Sequence, residues 1–560
     1  MQPFSQIPYV RPDFDAAEAA LRRAADRVRA AGGYADLRAA YMDQEELLRQ
    51  ISTQESIASI RNTVDTTDPY YEEEMRVLNS RMPAIDLLSR QVDAAVLASP
   101  YLADFTAEFG DTLVKDMQFG QRFADERLIP DLVRESELCQ AYSKLSATCQ
   151  IAFQGEMCNF YGLLKYMQST DRAVRKGAFE AWAALYAQAA PELDRIYDDL
   201  VALRVSMAEK LGFSSYIEMA YLKRRRYDYK PEDVVSFRQQ VKEVIVPVVA
   251  ELFERQRQRL GVDKLRYYDE ALVYPEGNPV PQGDQQTLVA KAQRMYRELS
   301  PETGEFFDFM VKGELFDLQT KPGKRPGGYC TSLPAYKAPF IFSNFNGTSA
   351  DVDVLTHEAG HAFAGFTSSR RIPLMAMSHS TSEINEIHSM SMETFTYPWM
   401  ELFFGDQADA YRYAHLADSL SVVPYMVCVD EYQHRVFENP GMDAMARRQV
   451  WHELEQVYLP WRDYDGNEFL EQGGFWMQKQ HIFLFPFYYV DYALAQMGAF
   501  EFYTRMRQDR RQAWKDYYRL CCAGGSKGYF ELLELAGLSN PFHAGSVAKA
   551  VCGVVEELLD

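Results

Sequence analysis

The segment "VLTHEAGHAFAGF" (354–366) combines residue types that bind metals and move protons. His357 and His361 are four positions apart, so in a helix they lie on one face, one turn apart. Imidazole nitrogens suit zinc, and catalytic zinc takes three protein ligands and leaves a fourth position to water. Glu358 follows the first histidine directly, which predicts a general base that takes a proton from a water held by the metal.

A third ligand has to come from outside this segment. The extended metzincin motif would need a histidine at position 367, where the chain has Thr367. The segment 380–399 has a helical pattern and offers Glu383, Glu386 and Glu393. Glu386 and Glu393 are seven positions apart and share a face, while Glu383 lies one turn before Glu386. Periodicity alone leaves Glu383 and Glu386 as alternatives.

If the water held by the metal attacks a carbonyl carbon, negative charge builds up on the carbonyl oxygen and needs hydrogen-bond donors. Near the C-terminus, Pro486 suits the first residue of a helix. On that interpretation Tyr488 and Tyr492 are one turn apart, Tyr489 is beside them, and His481 lies in the preceding loop. These residues are candidate donors, although aromatic packing is the alternative for any one tyrosine.

Most of the chain has the apolar rhythm of helices, and its 560 residues predict more than one packed core. We place a helical N-terminal lobe at 1–170 and a larger catalytic region at 171–560. The stretch 321–355 is the exception, because Gly, Pro and Ser surround the short apolar run "APFIFSNF". It predicts a small β-sheet beside the histidine helix. Such a sheet either offers a free edge to an extended peptide or closes on itself.

Composition excludes several classes of partner. A formal net charge of −21 argues against nucleic acid, which is bound by clustered Lys and Arg. The short basic run "LKRRRYDYK" (222–230) predicts either a solvated face or a set of internal ion-pair donors. No stretch approaches the roughly 20 apolar residues of a membrane span, and the first residues lack a signal-peptide pattern. Eight irregularly spaced cysteines predict free thiols and a cytoplasmic location.

These motifs together resemble one family. "HEAGHAF", followed 25 positions after its second histidine by the glutamate of "NEIHSMSMETF", resembles the M3 family of zinc peptidases. The similar branch contains oligoendopeptidase F and the Pz-peptidase-like enzymes. "KRRRYDYKPEDVVSFRQQV", "HIFLFPFYYVDYALAQ" and "GGSKGYFELLELAGLSNPF" also look like M3 segments. The resemblance covers most of the chain from about residue 200 onward.

The resemblance implies roles for the candidate residues. It selects Glu386 as the third ligand of one zinc ion per chain. It makes Glu393 a carboxylate that does not bind the metal itself but orients a ligand histidine. His481, Tyr489 and Tyr492 become catalytic residues on the oxyanion side. Tyr488 becomes a substrate-binding residue.

The resemblance also implies a fold and an activity. The fold is mainly α, with two helical lobes around a deep substrate channel and a small β-sheet beside the HExxH helix. The activity is that of a zinc metalloendopeptidase that hydrolyses internal bonds of short unstructured oligopeptides. A metallocarboxypeptidase on a related all-helical HExxH scaffold is the alternative, although the "HESQS" motif of one such group is absent. A peptide-binding protein without activity would have no need of Glu358.

Overall fold

A computed structural model describes residues 1–560, and the chain is mainly α, as predicted. The helices of the first half are α1 (Phe14–Arg29), α2 (Tyr34–Val64), α3 (Pro69–Leu97), α4 (Leu102–Phe109), α5 (Asp111–Gly120), α6 (Ile129–Thr148), α7 (Phe160–Tyr166), α8 (Arg172–Lys210), α9 (Tyr216–Lys223), α10 (Pro231–Gln240), α11 (Val246–Leu260) and α12 (Tyr267–Glu270). Those of the second half are α13 (Gln285–Leu299), α14 (Pro301–Lys312), α15 (Ala350–Ser369), α16 (Ser382–Phe395), α17 (Met400–Phe404), α18 (Ala408–Glu438), α19 (Ala444–Tyr458), α20 (Glu468–Glu471), α21 (Gln480–Leu484), α22 (Tyr489–Ala523), α23 (Tyr529–Ala536) and α24 (Ser546–Leu559).

The strands are few and short. They are β1 (Ile151–Phe153), β2 (Glu156–Cys158), β3 (Phe316–Gln319), β4 (Tyr329–Leu333) and β5 (Ala338–Phe345). β1 and β2 form an antiparallel pair, and the other three form a sheet in the order β3-β5-β4. None of the helices is both long and apolar enough to cross a membrane.

The chain forms two compact units, and each is built from separate stretches of sequence. The first unit contains Met1–Ile129, Val280–Ala408 and Glu501–Ser539. The second contains Pro130–Pro279, Asp409–Phe500 and Asn540–Asp560. The lobes predicted at 1–170 and 171–560, and a channel between lobes, remain predictions.

In the first unit, the three-stranded sheet lies against α15, as the sequence predicted. The central strand β5 is the run "APFIFSNF", and only one of its residues, Asn344, is not fully buried. It pairs in parallel with β3 on one side and antiparallel with β4 on the other. A strand buried on both faces needs such a continuous apolar run. β4 is therefore an edge strand of the sheet that supports the histidine helix.

The two helices that carry the predicted metal ligands also pack directly on each other in this unit. They approach closely at Gly360, where a Cβ atom, if one were present, would lie 2.6 Å from both the carbonyl oxygen of His388 and the Cα of Ser389. Contacts that short to backbone atoms cannot be relieved by a side-chain rotation. A residue without a side chain is therefore required at position 360.

We expect Gly360→Ala to lower the free energy of unfolding by about 1–3 kcal/mol, because overpacking outweighs the helix propensity gained. Gly365→Ala is the matched control on the same helix, since its Cβ would meet only His379 Cε1, at 3.5 Å. This control should leave stability unchanged or raise it by up to about 1 kcal/mol. Urea unfolding of both variants tests the prediction, and equal effects would contradict it.

The second unit buries several ionisable groups, and one of them links stability to pH. His434 on α18 is 3% exposed, and burial lowers the pKa of its imidazole to about 4. Its ring nitrogen Nε2 lies 3.1 Å from the hydroxyl of Tyr221. The nearby carboxylate of Asp430 raises that pKa and so opposes part of the shift.

Because the unfolded imidazole has a pKa near 6.5, the unfolded chain takes up a proton below that pH while the folded chain does not. We therefore expect His434 to lower the free energy of unfolding by about 2 kcal/mol between pH 7 and pH 5. Glu455, whose pKa burial raises to about 7, acts in the opposite direction over this range. The measurement is therefore the difference between wild type and His434→Gln in urea unfolding at both pH values. Parallel pH dependences in the two proteins would contradict the prediction.

Candidate active site

The predicted metal ligands lie together in the first unit. His357 and His361 are on α15, and Glu386 is on the neighbouring helix α16. Glu386 Oε2 lies 3.4 Å from Nε2 of His357 and 3.4 Å from Nε2 of His361. In a tetrahedral zinc site with bonds of about 2.0–2.1 Å, neighbouring ligand atoms are about 3.3–3.4 Å apart. The three side chains therefore have the spacing of a zinc-binding group.

Glu383, the alternative that periodicity left open, is not part of this group. The ligand atoms that cluster within 4.8 Å of one another come from His357, His361 and Glu386. Glu383 is also on α16 and is 1% exposed, one turn before Glu386. The packing of α16 on α15 therefore brings Glu386 to the histidines.

Glu393 lies against the far side of His357. Its Oε1 is 2.5 Å from Nδ1 of His357, while Nε2 of the same ring faces Glu386. A carboxylate at Nδ1 holds the proton there and leaves Nε2 as the nitrogen that can bind a metal. Burial by itself would lower the pKa of His357, but its contacts with Glu386 and Glu393 raise it well above its usual range.

Ser389 supports the third ligand, and the sequence alone did not assign it a role. Its hydroxyl, one helical turn further along α16, lies in hydrogen-bond range of Oε2 of Glu386, at 3.1 Å, and of the backbone carbonyl oxygen of Glu386, at 3.0 Å. A serine three residues after a candidate ligand was the available signal. Burial raises the pKa of Glu386, yet the two histidines beside it hold that pKa well below the usual range. Glu386 is thus kept as a carboxylate.

Glu358 is buried beside this group and is 8% exposed. Its Oε2 atom is inaccessible and has no hydrogen-bond partner in the protein. Burial raises the pKa of its carboxyl, and the neighbouring histidines partly oppose that shift. A buried carboxylate oxygen without a partner is costly unless a ligand or reactant completes its interactions. Together with the spacing of the three ligand atoms, this oxygen fits a bound metal ion and its water.

The edge strand β4 begins close to Glu358. A Cβ atom added at Gly328, directly before β4, would lie 3.6 Å from Oε1 of Glu358. One edge of β4 pairs with β5, and the opposite edge pairs with no strand of the sheet. β4 therefore has a free edge, without a strand partner, near the glutamate, and helix α2 also packs against this strand.

The predicted oxyanion residues form a second group, in the second unit. The ring of His481 lies 4.9–5.9 Å, between centroids, from those of Tyr488, Tyr489 and Tyr492. Tyr489 is 8% exposed, and its hydroxyl accepts a hydrogen bond from Lys479 at 2.9 Å. Tyr488 and Tyr492 are half-buried, with ring centroids 5.0 Å apart. The structure thus places the three tyrosine rings around the imidazole of His481.

Two local predictions for this segment are wrong. Pro486 is not the first residue of a helix, because α22 begins at Tyr489 and Pro486 lies in a turn. His481 is in the short helix α21 rather than in a loop. Phe487, which follows Pro486, has a positive φ of 61°, so a right-handed helix cannot begin at Pro486.

We expect Glu393→Gln to weaken zinc binding about ten- to hundredfold, as loss of a carboxylate partner of a ligand histidine typically does. The ligands themselves remain, so the variant should still bind one zinc ion per chain. Ser389→Ala serves as a milder variant for comparison. It should weaken zinc binding less than Glu393→Gln does, because it removes one hydrogen bond to one carboxylate oxygen. Competition against a zinc-binding dye measures both affinities. Wild-type affinity in Glu393→Gln would refute the assigned role.

Comparison with known proteins gives a consistent result. The family model of the peptidase M3 N-terminal domain matches residues 4–123, and that of peptidase family M3 matches 165–282 and 303–550. A solved structure of a candidate oligoendopeptidase F superposes with a TM-score of 0.97 at 45% identity, covering 100% of this chain and 99% of that one. Pz peptidase A, solved with an inhibitor, has a TM-score of 0.96 at 43% identity and 99% coverage of both chains.

The oligopeptidase PepF of Bacillus subtilis is 21% identical over 420 residues, which are 71% of this chain and 58% of that protein. The chain thus spans little more than half the length of this curated relative. The two family models cover most of the chain, including every residue of both groups described above. The chain therefore belongs to peptidase family M3, in the branch of oligoendopeptidase F and Pz peptidase, as the resemblance predicted.

Proposed function

We propose that this protein is a zinc metalloendopeptidase that hydrolyses internal bonds of short unstructured oligopeptides in the cytoplasm. The observation that carries the proposal is the group of His357, His361 and Glu386, with the buried carboxylate of Glu358 beside it. Family membership and the names of the relatives, which are oligopeptidases and oligoendopeptidases, support the same activity.

In this proposal His357, His361 and Glu386 hold one zinc ion per chain. When bound, zinc supplies Lewis acidity, which lowers the pKa of water and polarises a carbonyl group. Glu393 keeps a proton on Nδ1 of His357 and so fixes the orientation of that ring. Ser389 helps to fix the orientation of the Glu386 carboxylate by donating to its Oε2.

Glu358 moves the proton. Its carboxylate takes a proton from the attacking water as the oxygen of that water bonds to the scissile carbonyl carbon. It then delivers the proton to the amide nitrogen as the carbon–nitrogen bond breaks, so that the amine can leave. Burial supports this role, because it raises the pKa of the Glu358 carboxyl towards neutral pH. A group that acts first as a base and then as an acid is most effective when its pKa lies near the working pH.

On the oxyanion side, Tyr489, Tyr492 and His481 are the proposed donors, and Tyr488 is proposed to bind substrate. A phenol or imidazole N–H that points at the carbonyl oxygen stabilises the charge that develops there. Tyr488 and Tyr492 are half-buried and thus accessible to a ligand, whereas Tyr489 is bound to Lys479. Single Tyr→Phe variants would rank the three by their effect on kcat.

The substrate is proposed to be an extended peptide that lies along the free edge of β4. Backbone hydrogen bonds to a strand edge require an unfolded segment but no particular side chains, which suits a peptidase of unstructured peptides. The net charge of −21 argues against nucleic acid as a ligand. The predicted channel between lobes would add a size limit on the substrate.

The test uses a quenched peptide of about ten residues with both termini blocked. We expect wild type to cleave it internally, a chelator to abolish cleavage, and added zinc to restore it. Cleavage only after the C-terminus is unblocked would instead identify the metallocarboxypeptidase. Zinc binding without cleavage of any peptide would identify a peptide-binding protein, and the absence of zinc binding would refute the proposal.

A further inference from the structure

Three buried or half-buried arginines donate hydrogen bonds to backbone carbonyls near the end of α21 or in the segment that joins α21 to α22. The pairs are Arg204 with Phe483 O at 2.6 Å, Arg224 with Pro486 O at 3.0 Å, and Arg226 with Phe487 O at 2.5 Å. Two of these arginines belong to the basic run 222–230. Arg224 and Arg226 are therefore internal donors whose partners include the backbone next to the proposed oxyanion residues, whereas Lys223 and Lys230 of the same run are exposed.

The joining segment contains a turn in an unfavourable conformation. The N–H of Tyr488 bonds to the carbonyl of Phe485 at 3.1 Å, which closes a β-turn with Pro486 and Phe487 at its centre. Phe487 has a φ of 61°, where residues with a side chain are rarely found. A non-glycine residue keeps such a conformation only where its surroundings over-determine it.

Contacts with its N–H, its carbonyl and its ring hold Phe487 in this conformation. Its N–H donates to Oε1 of Gln433 at 2.8 Å, and its carbonyl accepts from Arg226. Its ring is fully buried, 5.0 Å from the ring of His434 and 5.6 Å from that of Phe437. Gln433 itself is completely buried, so no water competes for the Phe487 amide.

The same arginines also hold the beginning of α22. Arg226 forms a buried ion pair with Asp491, in the first turn of that helix. Arg224 lies 3.5 Å from the other carboxylate oxygen, and its guanidinium is 4.5 Å above the ring centroid of Tyr488. The conformation of the turn and the starting point of α22 are therefore fixed together. Both determine where the side chains of Tyr488 and Tyr492 point.

We propose that Arg226 and Gln433 are positioning residues, which hold the turn at Phe487 in its left-handed conformation and thereby aim Tyr488 and Tyr492. The inference rests on the proposed function, in which these tyrosines contact the substrate. If the hydrogen bond of Phe487 to Arg226 or to Gln433 is lost, the β-turn changes to a conformation with a negative φ at Phe487. The N-terminal residues of α22 then rotate. A displacement of about 1 Å at a catalytic contact costs on the order of a hundredfold in rate.

The test is the variant Gln433→Met, which keeps the volume of the side chain but removes the acceptor. We expect faster hydrogen exchange at the amides of Phe487 and Tyr488, a kcat for the blocked peptide that is about 10–100-fold lower, and a KM that rises by a smaller factor than kcat falls. Gln256→Met is the matched control. Gln256 is another buried glutamine of the same unit, but its amide binds the carbonyls of Asp269, Glu270 and Leu272. The control should leave kcat unchanged.

A double-variant cycle separates positioning from a general loss of stability. In the background of Tyr488→Phe and Tyr492→Phe, Gln433→Met should lower kcat by less than about threefold, because the two hydroxyls that it positions are gone. Arg226→Lys keeps the charge opposite Asp491 and one donor nitrogen, so we expect this variant to retain part of the activity that Arg226→Met loses.

The inference is overturned if Gln433→Met leaves exchange at Phe487 unchanged, or if kcat falls equally with and without the two tyrosine hydroxyls. It is also overturned if Gln256→Met lowers kcat as much as Gln433→Met does. Failure of the proposed function would look different, since wild type itself would then not cleave the blocked peptide. The exchange measurement needs no activity and still shows whether Gln433 and Arg226 hold the turn.

Discussion

Glu358→Gln is expected to lower kcat for a doubly blocked peptide by about a thousandfold or more, with zinc content unchanged at one ion per chain. The amide has nearly the shape of the carboxylate, but it can neither take a proton from water nor pass one to the leaving nitrogen. Because the base acts in the chemical step rather than in substrate binding, KM should change much less than kcat. Steady-state kinetics on the zinc-loaded variant tests both expectations.

Glu74→Gln is the matched control for this loss. Glu74 is also a buried carboxylate of the first unit, 2% exposed, but it pairs with Arg11 and Tyr9. The control should lose some stability and keep kcat. If Glu358→Gln retained more than about a tenth of wild-type kcat, another group would have to be the base, and the proposed mechanism would be wrong.

Parts of the fold were predictable because local sequence determines them. The run 338–345 is apolar at six of its eight positions and forms β5 with those bounds, since a central strand is buried on both faces. The four-residue spacing of His357 and His361 places both on one face of a helix whatever surrounds it. The mainly α fold follows from the same periodicity.

The choice between Glu383 and Glu386 was not predictable from periodicity, because both lie on α16 and both are buried. What selects Glu386 is the register in which α16 packs on α15, and that register depends on a contact between distant segments at Gly360. The family resemblance, rather than helical periodicity, identified Glu386 as the third ligand. Local sequence also does not predict the two discontinuous units, because they arise from contacts between segments far apart in the chain.

The start of α22 was predicted wrongly for a related reason. Proline is favoured at the first position of a helix, so Pro486 was expected to begin one. Tertiary contacts of Phe487 with Gln433 and Arg226 instead stabilise a turn that local preference disfavours. Departures from local preference concentrate at functional segments, where the rest of the fold can compensate for them.

Glu386→Gln is expected to abolish stoichiometric zinc binding at micromolar zinc and, with it, all measurable cleavage. Loss of an anionic ligand removes both a coordinating atom and the charge that offsets the ion, so affinity should fall by more than the roughly hundredfold upper limit for partners such as Glu393. Glu383→Gln is the matched control on the same helix, one turn away and equally buried. The control should keep one zinc per chain.

Metal analysis after dialysis, with a competition titration for each variant, distinguishes the two carboxylates. Zinc loss in Glu383→Gln with retention in Glu386→Gln would mean that α16 packs in a different register in solution, and that the 3.4 Å contacts with both histidines are not those of the active enzyme. Zinc loss in both variants would indicate that the helix, rather than one carboxylate, had been disturbed. Gly360→Ala then provides the comparison, because it shifts the same helix pair without removing any ligand.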